Sequence, residues 1–391
     1  MPLIREGRDR RIDFFRGLAL WWIFTDHIPA DWLGNFSLRN FALCDATEVF
    51  VLLAGYAAGL AYGATMRRQG WMLAAADVVR RAWVLYIAHI FLFVIFAAQV
   101  GYSAAALDRA DYLDEIHLDA VGEAPYRALL EALTLHFQPA YLNVLPLYVV
   151  VLLMFAVAMP LLYRPRLLAL ASLTLYIAAR VLSINLPSWT GGGWFFNPFT
   201  WQLLFMSGAI LSFAPEILPT HLTPSAQSHA GRTRRHLVDA AAILIVAFGV
   251  VMQFVVWVHP EYTDFLPAPV VRVLMSVDKE GLHPFRLMSI AAYTWLITRS
   301  VTRDAKWLKW RITAPFVLAG QHSLPVFCAS IFLSFLGRLA SEWDDGAITG
   351  ALINIVGALA MTLIAAIAAW YGNKGRGNSA SARPTVVREL E

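Results

Sequence analysis

An arginine and a histidine, Arg16 and His27, stand toward the two ends of the first strongly apolar stretch of the chain. On an α-helix a spacing of eleven residues returns to within about 20° of the same face and separates the two side chains by about 16 Å along the axis. A histidine beside a carboxylate, as His27 is beside Asp26, suits general-base work on an incoming hydroxyl, because imidazole titrates near neutral pH and the carboxylate orients or charges it. The plainer reading of His27 is an interfacial histidine wetted by headgroup water. Arg16 offers a planar fork for a phosphate or carboxylate, with an intrahelical pair to Asp13 as the alternative. Asp45 and Glu48 open the next apolar stretch in the pattern of a capping box, and Glu48 also suits orienting His27 or holding a substrate hydroxyl.

Four further polar islands interrupt apolar surroundings: His136 to Asn143 with Gln138 between them, Asn197 to Gln202 with Trp201, His283 to Arg286, and Gln321-His322-Ser323. Single buried amides and histidines often do no more than link helices in a membrane. Together with His27, these islands point instead to a shared hydrated cavity. The first three fall near outer span ends, whereas Gln321-His322-Ser323 falls about three turns into the ninth apolar window, midway across. No Gly-x-Ser-x-Gly elbow surrounds Ser323, and no histidine pair has helical ligand spacing, so neither a serine hydrolase nor a metal site is indicated.

The elements that position these residues are helices in a membrane. The chain has 391 residues, is 59% hydrophobic and 15% charged, and has a mean hydropathy of +0.57, far too apolar for a soluble domain. The expected fold is an all-α polytopic membrane protein of ten transmembrane helices, near 12–28, 47–66, 82–101, 142–163, 167–185, 197–214, 237–257, 285–301, 312–337 and 347–371. Most of the 31 lysines and arginines cluster in alternate connections and at both termini. The positive-inside rule therefore places both termini in the cytoplasm. Residues 1–371 read as a single transmembrane domain, with a first helix that is retained, and 372–391 as a disordered cytoplasmic tail. The opposite side carries an acidic loop from Asp108 to Glu131 with an amphipathic stretch over Pro125 to Phe137. Gly55, Gly59 and Gly63 form a small-xxx-small series for close helix approach, within or between chains. The net charge of +4 follows topology, so nucleic acid is excluded as a partner. Cys44 and Cys328 show no redox or metal spacing.

Four segments carry a family resemblance: Arg11-Ile-Asp-Phe-Phe-Arg-Gly-Leu-Ala-Leu20 with His27, Glu48-Val-Phe-Val-Leu-Leu-Ala-Gly-Tyr56, Leu142-Asn-Val-Leu-Pro-Leu-Tyr148, and Gly320-Gln-His-Ser-Leu-Pro-Val-Phe327. Over roughly residues 8 to 371 the chain resembles the OpgC membrane proteins, related to the acyltransferase-3 superfamily, in which an Arg-x10-His pattern in the first helix is the hallmark. The resemblance implies a bacterial inner-membrane, multi-pass O-acyltransferase. It would move a succinyl group, or alternatively an acetyl group, from cytoplasmic acyl-coenzyme A to a hydroxyl of a periplasmic glucan or other carbohydrate. It implies His27 as the catalytic base or the acyl-handling residue, tuned by Asp26 and Glu48, and Arg16 on the donor. Gln321, His322 and Ser323 join Arg16 on the donor, Gln321 or His322 serving also to stabilise the oxyanion. His136, Gln138, Asn143, Trp201, Gln202 and His283 are the expected acceptor contacts. No permanently bound cofactor is expected; acyl-coenzyme A is a co-substrate. The rival reading is a secondary transporter of an anionic solute or lipid-linked sugar that uses the same buried Arg and His. A non-catalytic partner of a glucan-export complex is the third.

Overall fold

The computed structural model describes residue 4 and residues 8–29, 31–214 and 229–381. Among these residues the regular structure is helical, with one isolated bridge between Pro187 and Gly193. The helices are α1 (Arg10–Asp26), α2 (Ala46–Gln69), α3 (Trp71–Leu107), α4 (Asp111–Ile116), α5 (Asp119–Glu123), α6 (Pro125–Leu133), α7 (Val144–Ala158) and α8 (Pro165–Val181). They continue with α9 (Pro198–Phe213), α10 (His229–Val251), α11 (Ala268–Met275), α12 (Pro284–Ser300), α13 (Ala314–Gln321), α14 (Ser323–Trp343) and α15 (Ala347–Ser381).

Among the described residues, six helical segments are long and apolar enough to cross a membrane: Ala46–Gln69, Trp71–Leu107, Val144–Tyr163, Thr233–Val256, Ser323–Trp343 and Ala347–Lys374. Three of the other windows read from the sequence form α1, α8 and α12 of 17 residues, and a fourth forms α9 of 16. These are shorter than the roughly 20 residues that a perpendicular crossing takes. The window 312–337 is not one span, because it divides at His322 into α13 and α14. Pro325 explains the break, since it lacks the N–H that would bond to the Gln321 carbonyl and its ring would clash there, whereas the first turn of a new helix accepts it. Arg80 and Arg81, just before the window 82–101, read from the sequence as part of a basic connection. Gly70, at φ 87°, turns α2 into α3 in a single residue, so both arginines lie inside the 37-residue α3 and not in a connection. At the other end α15 runs on to Ser381, past the boundary read at 371, because extending a formed helix costs little per residue. Residues 382–391 of the expected tail lie outside the described residues.

The chain forms two compact units, Met1–Gly34 with Val301–Glu391, and Asn35–Ser300. In the second unit α2 and α9 pack backbone to backbone. A Cβ on Gly55 would fall 2.0 Å from the Phe205 carbonyl oxygen, one on Gly59 2.5 Å from that of Ala209, and one on Gly208 2.2 Å from that of Leu52. The glycine series of α2 thus serves packing within the chain. Along α6 the residues Tyr126, Leu129, Leu130 and Leu133 share an exposed face while Ala128 and Ala132 are buried, the expected amphipathic pattern.

Gly55→Ala should force α2 and α9 apart and cost about 1–3 kcal/mol, the range for overpacking, read as a lower thermal midpoint in detergent. Gly101→Ala, in open space on α3, should leave the midpoint unchanged or raise it slightly, because Ala is the better helix former.

Candidate functional site

The first unit is built on α1. Asp9 caps its N-terminus, accepting from the Arg11 N–H at 3.1 Å, and pairs with the Arg11 guanidinium at 2.7 Å. Two glycines then let another backbone touch the helix. A Cβ on Gly17 would lie 1.9 Å from the Phe316 carbonyl oxygen, and one on Gly320 would lie 1.7 Å from that of Asp13. Phe316 thus lies at Gly17 and Gly320 at Asp13, so α13 runs antiparallel to α1. After His322 the direction changes. Ser323 meets Arg16, and Gly337 faces the side chain of Ile28, so α14 runs in the same sense as α1. The chain therefore makes a helical hairpin with its tip at His322. This overturns the midway depth expected for Gln321-His322-Ser323, since the tip lies toward the N-terminal end of α1, level with Asp13 and Arg16.

At the tip the polar groups meet. Arg16, buried, donates from Nη2 to Ser323 Oγ at 2.7 Å. Asp13 is 1% exposed and accepts from Gln321 Nε2 and from Arg8 Nη2, both at 3.0 Å. The His322 N–H closes α13 on the Leu318 and Ala319 carbonyls. The sequence reading named Arg16, Gln321, His322 and Ser323 as one set, and the hairpin brings them to one place. Asp13 joins them as a bridge between α1 and the tip. Its signal in the sequence, a carboxylate inside an apolar helix, was read only as a partner for Arg16.

His27 stands at the other end of α1, about 16 Å along the axis from Arg16. It is half-buried, and its Nδ1 bonds to the Ile23 carbonyl at 2.5 Å. That bond requires a proton on Nδ1, so the basic nitrogen of the neutral ring is Nε2. Asp26, the last residue of α1, is half-buried beside it. Gln321 and His322 are thereby removed from the oxyanion role next to His27 by the length of the helix.

Glu48 belongs to the second unit and to a different cluster. Asp45 caps α2 through the Thr47 N–H at 2.7 Å, and Glu48 closes the box on the Asp45 N–H at 2.9 Å, as the sequence pattern indicates. Arg286 of α12 then reaches both carboxylates, Nε to Glu48 at 2.5 Å and Nη2 to Asp45 at 3.0 Å, and Lys279 Nζ lies 2.7 Å from Asp45. Glu48 is fully buried in this pairing. Burial alone would raise the Asp45 pKa, but Lys279 and Arg286 outweigh it and hold the carboxyl well below the usual carboxylate range. In the sequence Arg286 belongs to the His283 island and has no assigned role. The arginine in the first turn of an apolar helix was the available signal.

The six residues expected at the acceptor are spread over three segments of this unit. Trp201 is fully buried and donates from Nε1 to the Lys279 and Glu280 carbonyls at 3.2 and 3.1 Å, strapping down the loop that presents Lys279. Arg180 secures the same loop at Asp278 and at the Gly281 carbonyl. Gln202 joins α9 to α8, accepting from Ser172 Oγ at 2.6 Å and donating to the Ser172 carbonyl at 2.9 Å. His283 accepts the Phe285 N–H on Nδ1 at 3.2 Å. Between α6 and α7, His136 faces Glu131 at 3.3 Å and Gln138 donates to the Leu135 carbonyl at 2.8 Å. Asn143 begins α7, its buried Oδ1 without a hydrogen-bond partner among the described residues. No group of three or more His, Cys, Asp or Glu among the described residues could hold a metal ion.

Compared with known proteins, residues 8–373 match the family described as OpgC protein. No curated protein and no solved structure matches the chain.

Arg286→Ala should destabilise the second unit by about 3–5 kcal/mol, because it leaves the buried Glu48 and the half-buried Asp45 without their shared cation; a chemical or thermal melt of the purified protein reads this. Acid should act on the same cluster. A carboxylate depressed in the folded state contributes fully above its unfolded pKa of about 3.9, and the contribution is lost as pH falls through the lower folded value. The wild-type melting temperature should therefore drop below about pH 4. Asp45→Asn, which keeps the cap, should start lower at neutral pH and show a shallower acid dependence.

Proposed function

Since the chain belongs to the OpgC family, whose membership points to a membrane acyltransferase-like function, we propose that it moves a succinyl group, or alternatively an acetyl group, from acyl-coenzyme A to a hydroxyl of a periplasmic glucan or other carbohydrate. We place it in a bacterial inner membrane with ten helical crossings and both ends in the cytoplasm, the shorter helices being held by their neighbours. The observation that carries this reading is the division of α1. One end holds Arg16 bonded to Ser323 at a helix start, and the other holds His27 with its Nδ1 proton committed.

Each end suits one substrate. The Arg16 guanidinium meets Ser323 at the start of α14, and a helix N-terminus with an arginine favours an anion. A coenzyme phosphate supplies that charge, with the basic inner segments as further phosphate contacts. At the far end, His27 Nε2 takes the proton of the acceptor hydroxyl as its oxygen attacks the thioester carbonyl. The tetrahedral intermediate collapses to the ester, the carbon–sulfur bond breaks, and the coenzyme thiolate recovers the proton from His27. The donor's carrier arm would extend along α1 between the two ends. A secondary transporter is the second reading, favoured by the helical hairpin, since interrupted helices often form transporter binding sites.

The test is release of free thiol from succinyl- or acetyl-coenzyme A by the purified protein, with and without glucan. Glucan-dependent release is expected. His27→Ala should lower kcat by about 100-fold or more, the range of a general base, while donor KM holds. Arg16→Lys should instead raise donor KM by about tenfold through loss of the planar fork. Absence of thiol release with either donor, together with solute uptake into vesicles, would overturn the enzyme in favour of the transporter.

A further inference from the structure

A cavity of about 140 Å³ lies in the first unit just beyond the His27 end of α1, and its wall begins at Ile28, the residue after His27. Asp31 and Trp32 line it from the segment that follows α1, Glu342, Asp344 and Asp345 from the α14–α15 connection, and Gly350 from α15. Its walls are held in place. Trp32 Nε1 donates to the Ala347 carbonyl at 3.0 Å, fixing the indole while 41% of the residue stays exposed. A Cβ on Gly350 would fall 3.0 Å from the indole Cδ1, so the glycine lets the ring lie against α15. Asp31 accepts from the Leu33 N–H at 3.1 Å and from Asn354 Nδ2 at 2.7 Å. Asn354 is itself only 3% exposed, and its Oδ1 has no hydrogen-bond partner among the described residues. Asp344 accepts from the Gly346 N–H and the Thr349 hydroxyl, and Glu342 pairs with Arg338 at 2.8 Å.

This is a wall for a polyhydroxylated ring. Ionised carboxylates are pure acceptors, each with about four lone-pair sites, so they match vicinal hydroxyls, which arrive as donors. The indole adds a broad apolar surface with little conformational freedom to lose. Four carboxylates line the cavity and Arg338 balances one of them, which leaves the local field negative. Such a field rejects an anionic ligand even when its shape fits. We propose that this cavity is the acceptor subsite, that it takes an uncharged sugar ring, and that its carboxylates exclude a ring already bearing an anionic substituent. Attachment of a dicarboxylic acyl group would then turn a ligand of the cavity into one that it expels. The acceptor role rests on the acyltransferase reading; the sugar site does not.

Calorimetric titration of the full-length protein in nanodiscs, without any acyl donor, tests the site. The probes are a neutral linear glucose tetrasaccharide and its succinyl monoester. The neutral sugar should bind at least tenfold tighter than the ester. Trp32→Ala should weaken the neutral sugar tenfold or more, and Asp345→Lys, a change at an exposed position, should remove the preference between the two probes. Equal binding of both probes by the wild type, or wild-type behaviour of both variants, would overturn the proposal. Trp32- and Asp345-dependent sugar binding without thiol release would uphold the sugar site and sink the acyltransferase reading. Glucan-dependent thiol release unchanged in both variants would do the reverse.

Discussion

Contact between the backbones of α1 and α13 is the constraint on which the first unit depends. With Gly17 against Phe316 and Gly320 against Asp13, no side chain separates the two helices. That approach is what carries the hairpin tip down to Asp13 and Arg16. Gln321 then reaches Asp13 and Ser323 reaches Arg16 without either polar group crossing apolar space. Two charged side chains inside an apolar helix are costly in a bilayer, and here their hydrogen bonds come from a segment delivered by close packing. The reversal itself is local chemistry, because Pro325 can start a helix but cannot continue one.

The second unit solves a similar problem with charge. Asp45 and Glu48 stand at the head of α2, where a helix N-terminus favours anions, and Arg286 and Lys279 meet them there. Burial of such a cluster adds little net stability compared with an apolar equivalent, but removal of one member is expensive. The cluster ties α2 to α12 and to the loop around Lys279. Trp201, Arg180 and Tyr176 hold that loop from α9 and α8. Residues that look like a ligand site in the sequence here bond to the protein's own backbone.

Within α1, Arg16 bonds to Ser323 near one end and His27 to the Ile23 carbonyl at the other. On the acyltransferase proposal, their separation of about 16 Å along one helix suits two substrates that arrive from opposite sides of a membrane. A metal or redox centre would be served by ligands gathered at one depth.

The all-helical, membrane-embedded class was legible in the sequence because hydrophobic runs and basic clusters are local properties that need no partner. The capping box at Asp45 and Glu48 and the close-packing glycines of α2 were legible for the same reason. The partners were not. Arg286 lies 238 residues from Glu48 and Ser323 lies 307 from Arg16, and no periodicity relates such positions. Hydropathy also read 312–337 as one crossing, since an apolar average is blind to direction and a single proline decides it. Which residues carry charge, where helices begin and how their faces repeat follow from the sequence alone. Which of those residues meet, and at what depth, was decided by backbone contacts that form only when the helices pack.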